Sequence, residues 1–190
     1  MGKKEDIQLI NDEIAARFCK IESGIAAAET IAGLFEFLLT GIEKEFKVPF
    51  VWLTIIDNVG TAPLIDAVNA SEILKNRLCV ISQDAFEKIL PHGLKPVLAN
   101  KNLQPFYKMM PSSRKYFVRS IAVAPFTLDG QVVGAWNNGD ADPDRYAADM
   151  DSTLLAALAR KISLKLTALV AGKAAVSDNR NTEQPGGLHG

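Results

Sequence analysis

The sequence predicts an α+β domain: a mainly antiparallel central sheet with long N- and C-terminal helices packed on one face. Three observations carry this. Apolar residues step by three or four from Ile7 to Ile42, and again from Leu154 to Leu169. Between these stretches lie short β-branched and aromatic runs, one pair joined by Asp-Gly. The strands outnumber the crossovers that an all-parallel sheet would need.

The first seam, Ile7, Ile10, Ile14, Phe18, Ile21, Ile25, Ala28, Ala32, Phe35, Leu39 and Ile42, is heptad-like with one stutter. Ser23-Gly24 is expected to break it, which gives helices over about 4–22 and 27–47. The seam covers a sheet face or is shared with a second subunit, and the sequence leaves both readings open. Val48-Pro49 ends the second helix. Phe50 to Asp57 reads as a central strand, Asn58-Val59-Gly60 as a turn, and residues 64–69 as a weaker strand. Residues 78–82 form a short strand, after which Ser82 caps a short helix with Phe86, Ile89 and Leu90 inward. Pro91-His92-Gly93 stops that helix, and Pro96 to Ala99 is another strand. Residues 100–117 are irregular, with a helical turn near Phe106 to Met110. Val118 to Asn138 is a hairpin turning at Asp129-Gly130. A helix over about 152–171 follows, and the small, polar residues 172–190 read as a disordered tail. The expected organisation is an N-terminal helix at 1–26, a domain at 27–171, and that tail.

Composition excludes several classes of function. The 190 residues and 20.6 kDa suit one domain, and 48% hydrophobic residues suffice for a core. Lys plus Arg number 21 against 22 for Asp plus Glu, and this near-neutral balance argues against general nucleic-acid binding. Cys19, Cys79, His92 and His189 supply neither a disulfide framework nor a histidine-rich metal site, so no cofactor or metal is expected. No stretch approaches the roughly 20 apolar residues of a membrane span. The N-terminus lacks the apolar core of a signal peptide, which predicts a cytoplasmic protein.

The element order resembles the GAF domain, a small-molecule-sensing fold related to PAS. Within it the chain resembles the bacterial domain-of-unknown-function family 484. Leu34 to Leu39 precedes the first strand, Ser120 to Phe126 is similar to that family's hairpin strand, and Gly134 falls on the returning partner. Gly139-Asp140-Ala141-Asp142-Pro143-Asp144-Arg145-Tyr146 matches its glycine, then Asp-Pro-Asp-Arg and an aromatic, with Met150 beyond. Ala147-Ala148-Asp149 departs from the histidine, proline and glycine usual there, and Asn137 and Asn138 replace an apolar strand end. The resemblance spans about 25–170. It implies a GAF/PAS-like fold and a sensing role, with no activity to carry over.

Four groups of side chains are candidates for function. Trp52 with Thr54, and Trp136 with Asn138, each share a strand face and could frame a flat ligand; the alternative is core tryptophans and an asparagine bonded to backbone. From Lys88 to Leu128 there are seven basic residues and no acid, interleaved near Tyr107, Arg114, Tyr116 and Arg119 with aromatics. Such a segment could cover an anionic ligand, contact RNA or an acidic partner, or simply balance the acidic stretch that follows. Asp140, Asp142, Asp144 and Asp151 match a calcium loop's spacing, but Arg145 stands where glycine is needed, so turn and helix capping is the simpler reading. Cys19, on the apolar side of its helix, and Cys79, in a strand, have no basic helper in sequence. Against GAF relatives, Cys79 lacks the histidine of bilin-bearing domains, and free-methionine-sulfoxide reductases use more cysteines. The resulting expectation is a non-enzymatic sensory or regulatory domain. It binds a small molecule, anionic if the 100–117 segment covers it, and signals through terminal-helix packing in a homodimer. The alternative is a ligand-free interaction and dimerisation module.

Overall fold

The computed structural model describes residues 2–91 and 93–181. The expectations for His92 and for residues 182–190, His189 included, lie outside the described residues. Helices α1 (Gly2–Ala27) and α2 (Ile31–Phe46) lead into β1 (Phe50–Ile56). Then come α3 (Ala62–Asn69), β2 (Leu78–Ile81), α4 (Gln83–Ile89), β3 (Val97–Ala99) and a 3-10 segment, Gln104–Met109. The hairpin β4 (Ser120–Leu128) and β5 (Gln131–Asp140) precedes α5 (Thr153–Asn181).

The fold is α+β, and the strands form one five-stranded sheet in the order β2-β1-β5-β4-β3. Only β1 with β2 is parallel, because α3 carries the chain across between them. The hairpin turns at Asp129 and Gly130, with φ of 50° and 79°, the left-handed pair that suits a tight hairpin. One face of the sheet is covered by α1, α2, α3 and α5, with Leu34, Leu38, Ile42, Ile162 and Leu166 buried against Leu53 and Trp136. The other face is covered by α4 and the 3-10 segment, with Phe86, Phe106 and Met109 against Trp52, Ile121 and Val123.

Three local expectations are corrected. Residues 64–69 form the helix α3 and not a strand: Pro63 suits the first turn, and Leu64 and Val68, four apart, are the buried pair. Helix α1 runs through Ser23-Gly24 and stops at residues 28–30, where Thr30 caps α2 by accepting from Gly33 N at 2.9 Å. Gly24 serves close approach instead, since a Cβ there would sit 3.0 Å from the Phe37 ring of α2. Helix α5 continues to Asn181, past the Gly172 at which the sequence places a tail.

Beyond its short pairing with β3 at Ile121–Val123, the outer edge of β4 meets α5. Thr127 N donates to Ser163 Oγ at 2.9 Å, and Asp129 N donates to Thr167 Oγ1 at 3.1 Å. Pro125, in the same stretch, has no N–H to donate.

Candidate functional site

The candidate site lies where β1 and β5 face the 3-10 segment. Strand register decides which side chains meet there: Trp52 pairs with Asn137, and Leu53 with Trp136. Successive residues point to opposite faces, so Trp52, Thr54 and Asn137 share the face under the 3-10 segment. Trp136 and Asn138 point to the helix face. The two candidate pairs are therefore separated by the sheet and do not frame one pocket.

On the site face, the Met109 carbonyl accepts two hydrogen bonds, from Trp52 Nε1 at 2.6 Å and from Thr54 Oγ1 at 2.9 Å. Cys79 Sγ lies 3.2 Å from Lys108 O. Asn137 Nδ2 donates to Thr54 Oγ1 at 2.9 Å and also reaches Trp52 O and Ala135 O. Asn137 is fully buried and its Oδ1 has no hydrogen-bond partner, which is rare for a buried acceptor. Phe106, Met109 and Met110 fill the space above, and a void of about 10 Å³ remains beside Trp52, Arg77 and Arg114. Burial pushes the Cys79 thiol up, away from the reactive thiolate.

On the helix face, Trp136 Nε1 donates to Asn138 Oδ1 at 2.7 Å, so this asparagine fixes a core tryptophan. Tyr107 is half-buried over the site. Arg114, Tyr116 and Arg119 are exposed; Arg114 borders the small void beside Trp52, its guanidinium 5.2 Å from the Phe50 ring. Cys19 is exposed, contrary to its expected place on the apolar side, because it falls between Phe18 and Lys20 at the margin of the α1 stripe.

The acidic loop serves the fold. Asp140 Oδ1 accepts from Asp142 N at 2.9 Å, and Asp140 Oδ2 pairs with Arg145 at 3.1 Å. Arg145 also donates to Phe46 O, an open carbonyl at the end of α2. Ser120 Oγ holds Asp142 O at 2.6 Å, and Asp151 caps α5 by accepting from Thr153 N at 2.9 Å. The motif of residues 140–146 is thus a clamp between β5, β4 and α2. Among the described residues no three His, Cys, Asp or Glu side chains are placed to hold a metal ion, and no helix is long and apolar enough to cross a membrane.

Sequence reasoning did not find the groove of about 630 Å³ between the β4 edge and α5, lined by Pro125, Thr127, Ala156, Ser163 and Leu164. Its two walls come from β4 and α5, which are separate stretches of sequence, so no local pattern marks it.

Three of the solved structures similar to this chain show the likeness of fold. Free methionine-R-sulfoxide reductase from Neisseria meningitidis, solved with its substrate, has a TM-score of 0.52 at 16% identity, covering 82% of this chain and 89% of that one. The GAF domain of Acinetobacter phosphoenolpyruvate-protein phosphotransferase has 0.50 at 13%, covering 85% and 95%. The fold is that of a GAF domain. A methyl-accepting chemotaxis protein, over its residues 122 to 287, has 0.52 at 14%, covering 82% and 99%. No protein-family model matches the chain, and no curated protein matches it. At these identities the likeness is one of GAF fold.

Proposed function

We propose that this chain is a non-enzymatic regulatory module with a GAF fold, which works as a homodimer through its terminal helices. Its inter-layer space is taken by its own side chains. The observation that carries the reading is the Met109 carbonyl. Trp52 and Thr54 both donate to it, so the 3-10 segment is fastened to the central strand and Phe106, Met109 and Met110 occupy the space a ligand would need. The raised Cys79 thiol and the structural use of Asp140 and Asp142 support a role without catalysis. The chemotaxis-protein and phosphotransferase neighbours suit a regulatory setting. The resemblance of residues 139–146 to domain-of-unknown-function family 484 supports the same class.

One observation favours the second reading, a small-molecule sensor. Asn137 Oδ1 is a buried acceptor awaiting a donor, and a ligand with an N–H or O–H would satisfy it if the 3-10 segment lifted. Native mass spectrometry, repeated under denaturing conditions, separates the two. The module reading expects a dimer mass without excess. An excess that vanishes on denaturation selects the sensor, and a monomer removes the dimer from either reading.

A further inference from the structure

One end of the sheet carries two unpartnered surfaces of opposite character. Here β1 begins at Phe50, β4 begins at Ser120, β5 ends at Asp140, and α2 ends at Phe46. Helix α1 passes this end at residues 18–20: the Phe18 and Phe46 rings are 4.8 Å apart, and Lys20 pairs with Glu45 at 3.3 Å. Ile14 still packs against the core, so residues 6–13 of α1 extend roughly 12 Å farther at 1.5 Å per residue. Their apolar stripe is the one that is buried at Phe18, Ile21 and Ile25, yet Ile7 and Ile10 are 57% and 56% exposed. From Glu5 to Glu13 this helix carries four acids and no base, and Arg17, one turn on, lies 3.5 Å from Glu13.

The second surface is residues 112–119. Consecutive turns, Arg114 N to Pro111 O and Phe117 N to Arg114 O, hold it compact, and Arg119 N donates to Asp140 O at the same sheet end. Tyr116 is 83% and Phe117 62% exposed, with Arg114, Lys115 and Arg119 around them and no acid from Lys88 to Leu128. Exposed paired aromatics among cations are a docking surface in want of an acidic, apolar partner.

We propose that the partner is a second copy: the free half of α1 lies on residues 112–119 of the other protomer, and the reverse. Ile7 and Ile10 meet the partner's Tyr116 and Phe117, while Asp6 and Glu13, on the flank of the same stripe, meet the partner's Arg114, Lys115 and Arg119. Both halves of the contact belong to one chain, so a two-fold axis satisfies each twice and closes the assembly. This rests on the homodimer reading above: of the terminal helices it places α1 in the interface, and it sets residues 112–119 opposite it.

The test is a charge swap read by light scattering on a sizing column. One variant carries Arg114→Glu, Lys115→Glu and Arg119→Glu; the other carries Asp6→Lys and Glu13→Lys. All five positions lie outside the buried core, and circular dichroism of each variant checks the fold. Each variant alone is expected to dimerise at least tenfold more weakly than wild type. Mixed one to one, they restore the dimer mass, because both contacts in the mixed pair again join opposite charges. Variants that stay dimeric, or that fail to pair on mixing, overturn this inference and leave the dimer reading standing. A wild-type monomer overturns both. Dimers indifferent to the swap, together with wild-type binding of a single-stranded oligonucleotide or anionic vesicles, assign residues 112–119 to a different partner.

Discussion

On one face of the sheet, three of the four covering helices have 26, 16 and 29 residues, and with the shorter α3 their apolar stripes close the core. On the other, a seven-residue helix and a six-residue 3-10 segment do the covering. Segments that short bury little apolar area of their own. The second face depends more on directed bonds: Trp52, Thr54 and Cys79 reach the carbonyls of Met109 and Lys108. Area is lost gradually, whereas a few hydrogen bonds are lost together. The helix face should therefore govern global unfolding, and the short-segment face should open locally below it.

The sharpest way to break this contrast is to cut into both faces. Leu38→Ala, on the fully buried α2 stripe, is expected to cost about 3 kcal/mol in chemical denaturation. Thr54→Val removes one donor to Met109 O and the acceptor of Asn137 Nδ2 at nearly constant volume, at a cost of about 1–2 kcal/mol. Hydrogen exchange should show the Thr54→Val loss concentrated in residues 104–110, and the Leu38→Ala loss spread over the whole core. Equal, global losses from both would mean the faces unfold as one.

The smallest effect sharpens the comparison at the rim of the helix face. Burial raises the Tyr146 phenol above its ordinary pKa, against the opposing charge of Arg145. The folded state therefore holds this proton more tightly than the unfolded state. Stability from this group is intact below the usual phenol pKa of about 10 and falls as pH rises from there through the folded-state value. Tyr146→Phe should flatten that alkaline decline and remove the late-titrating component of tyrosinate absorbance. An unchanged alkaline profile would place the decline elsewhere.

The helix face was the more legible in sequence, for the same physical reason. A stripe repeating every three or four residues is a local signal, and it located α2 and α5 as well as the core residues Phe35, Leu39 and Ile162. The hairpin was equally plain, because Asp129-Gly130 adopts a backbone few other pairs tolerate. Residues 64–69 were misread because eight residues with two buried positions show too little period to separate helix from strand. Ser23-Gly24 was misread because a glycine that admits a neighbouring ring looks, in sequence, like one that ends a helix. At the site, sequence alternation grouped Trp52 with Thr54 and Trp136 with Asn138, but placing the two pairs relative to each other needed the β1–β5 register. Asn137 escaped notice as a site residue because its role comes from Thr54, 83 residues away.

The outer edge of β4 has a consequence for the molecule at high concentration. An unpaired strand is a template on which another chain can polymerise. Here Pro125 offers no hydrogen, and Ser163 and Thr167 already hold the N–H groups of Thr127 and Asp129. An incoming strand would have to displace α5 before it could add, so the sheet is stopped from growing sideways at this margin by two hydroxyls on its own last helix.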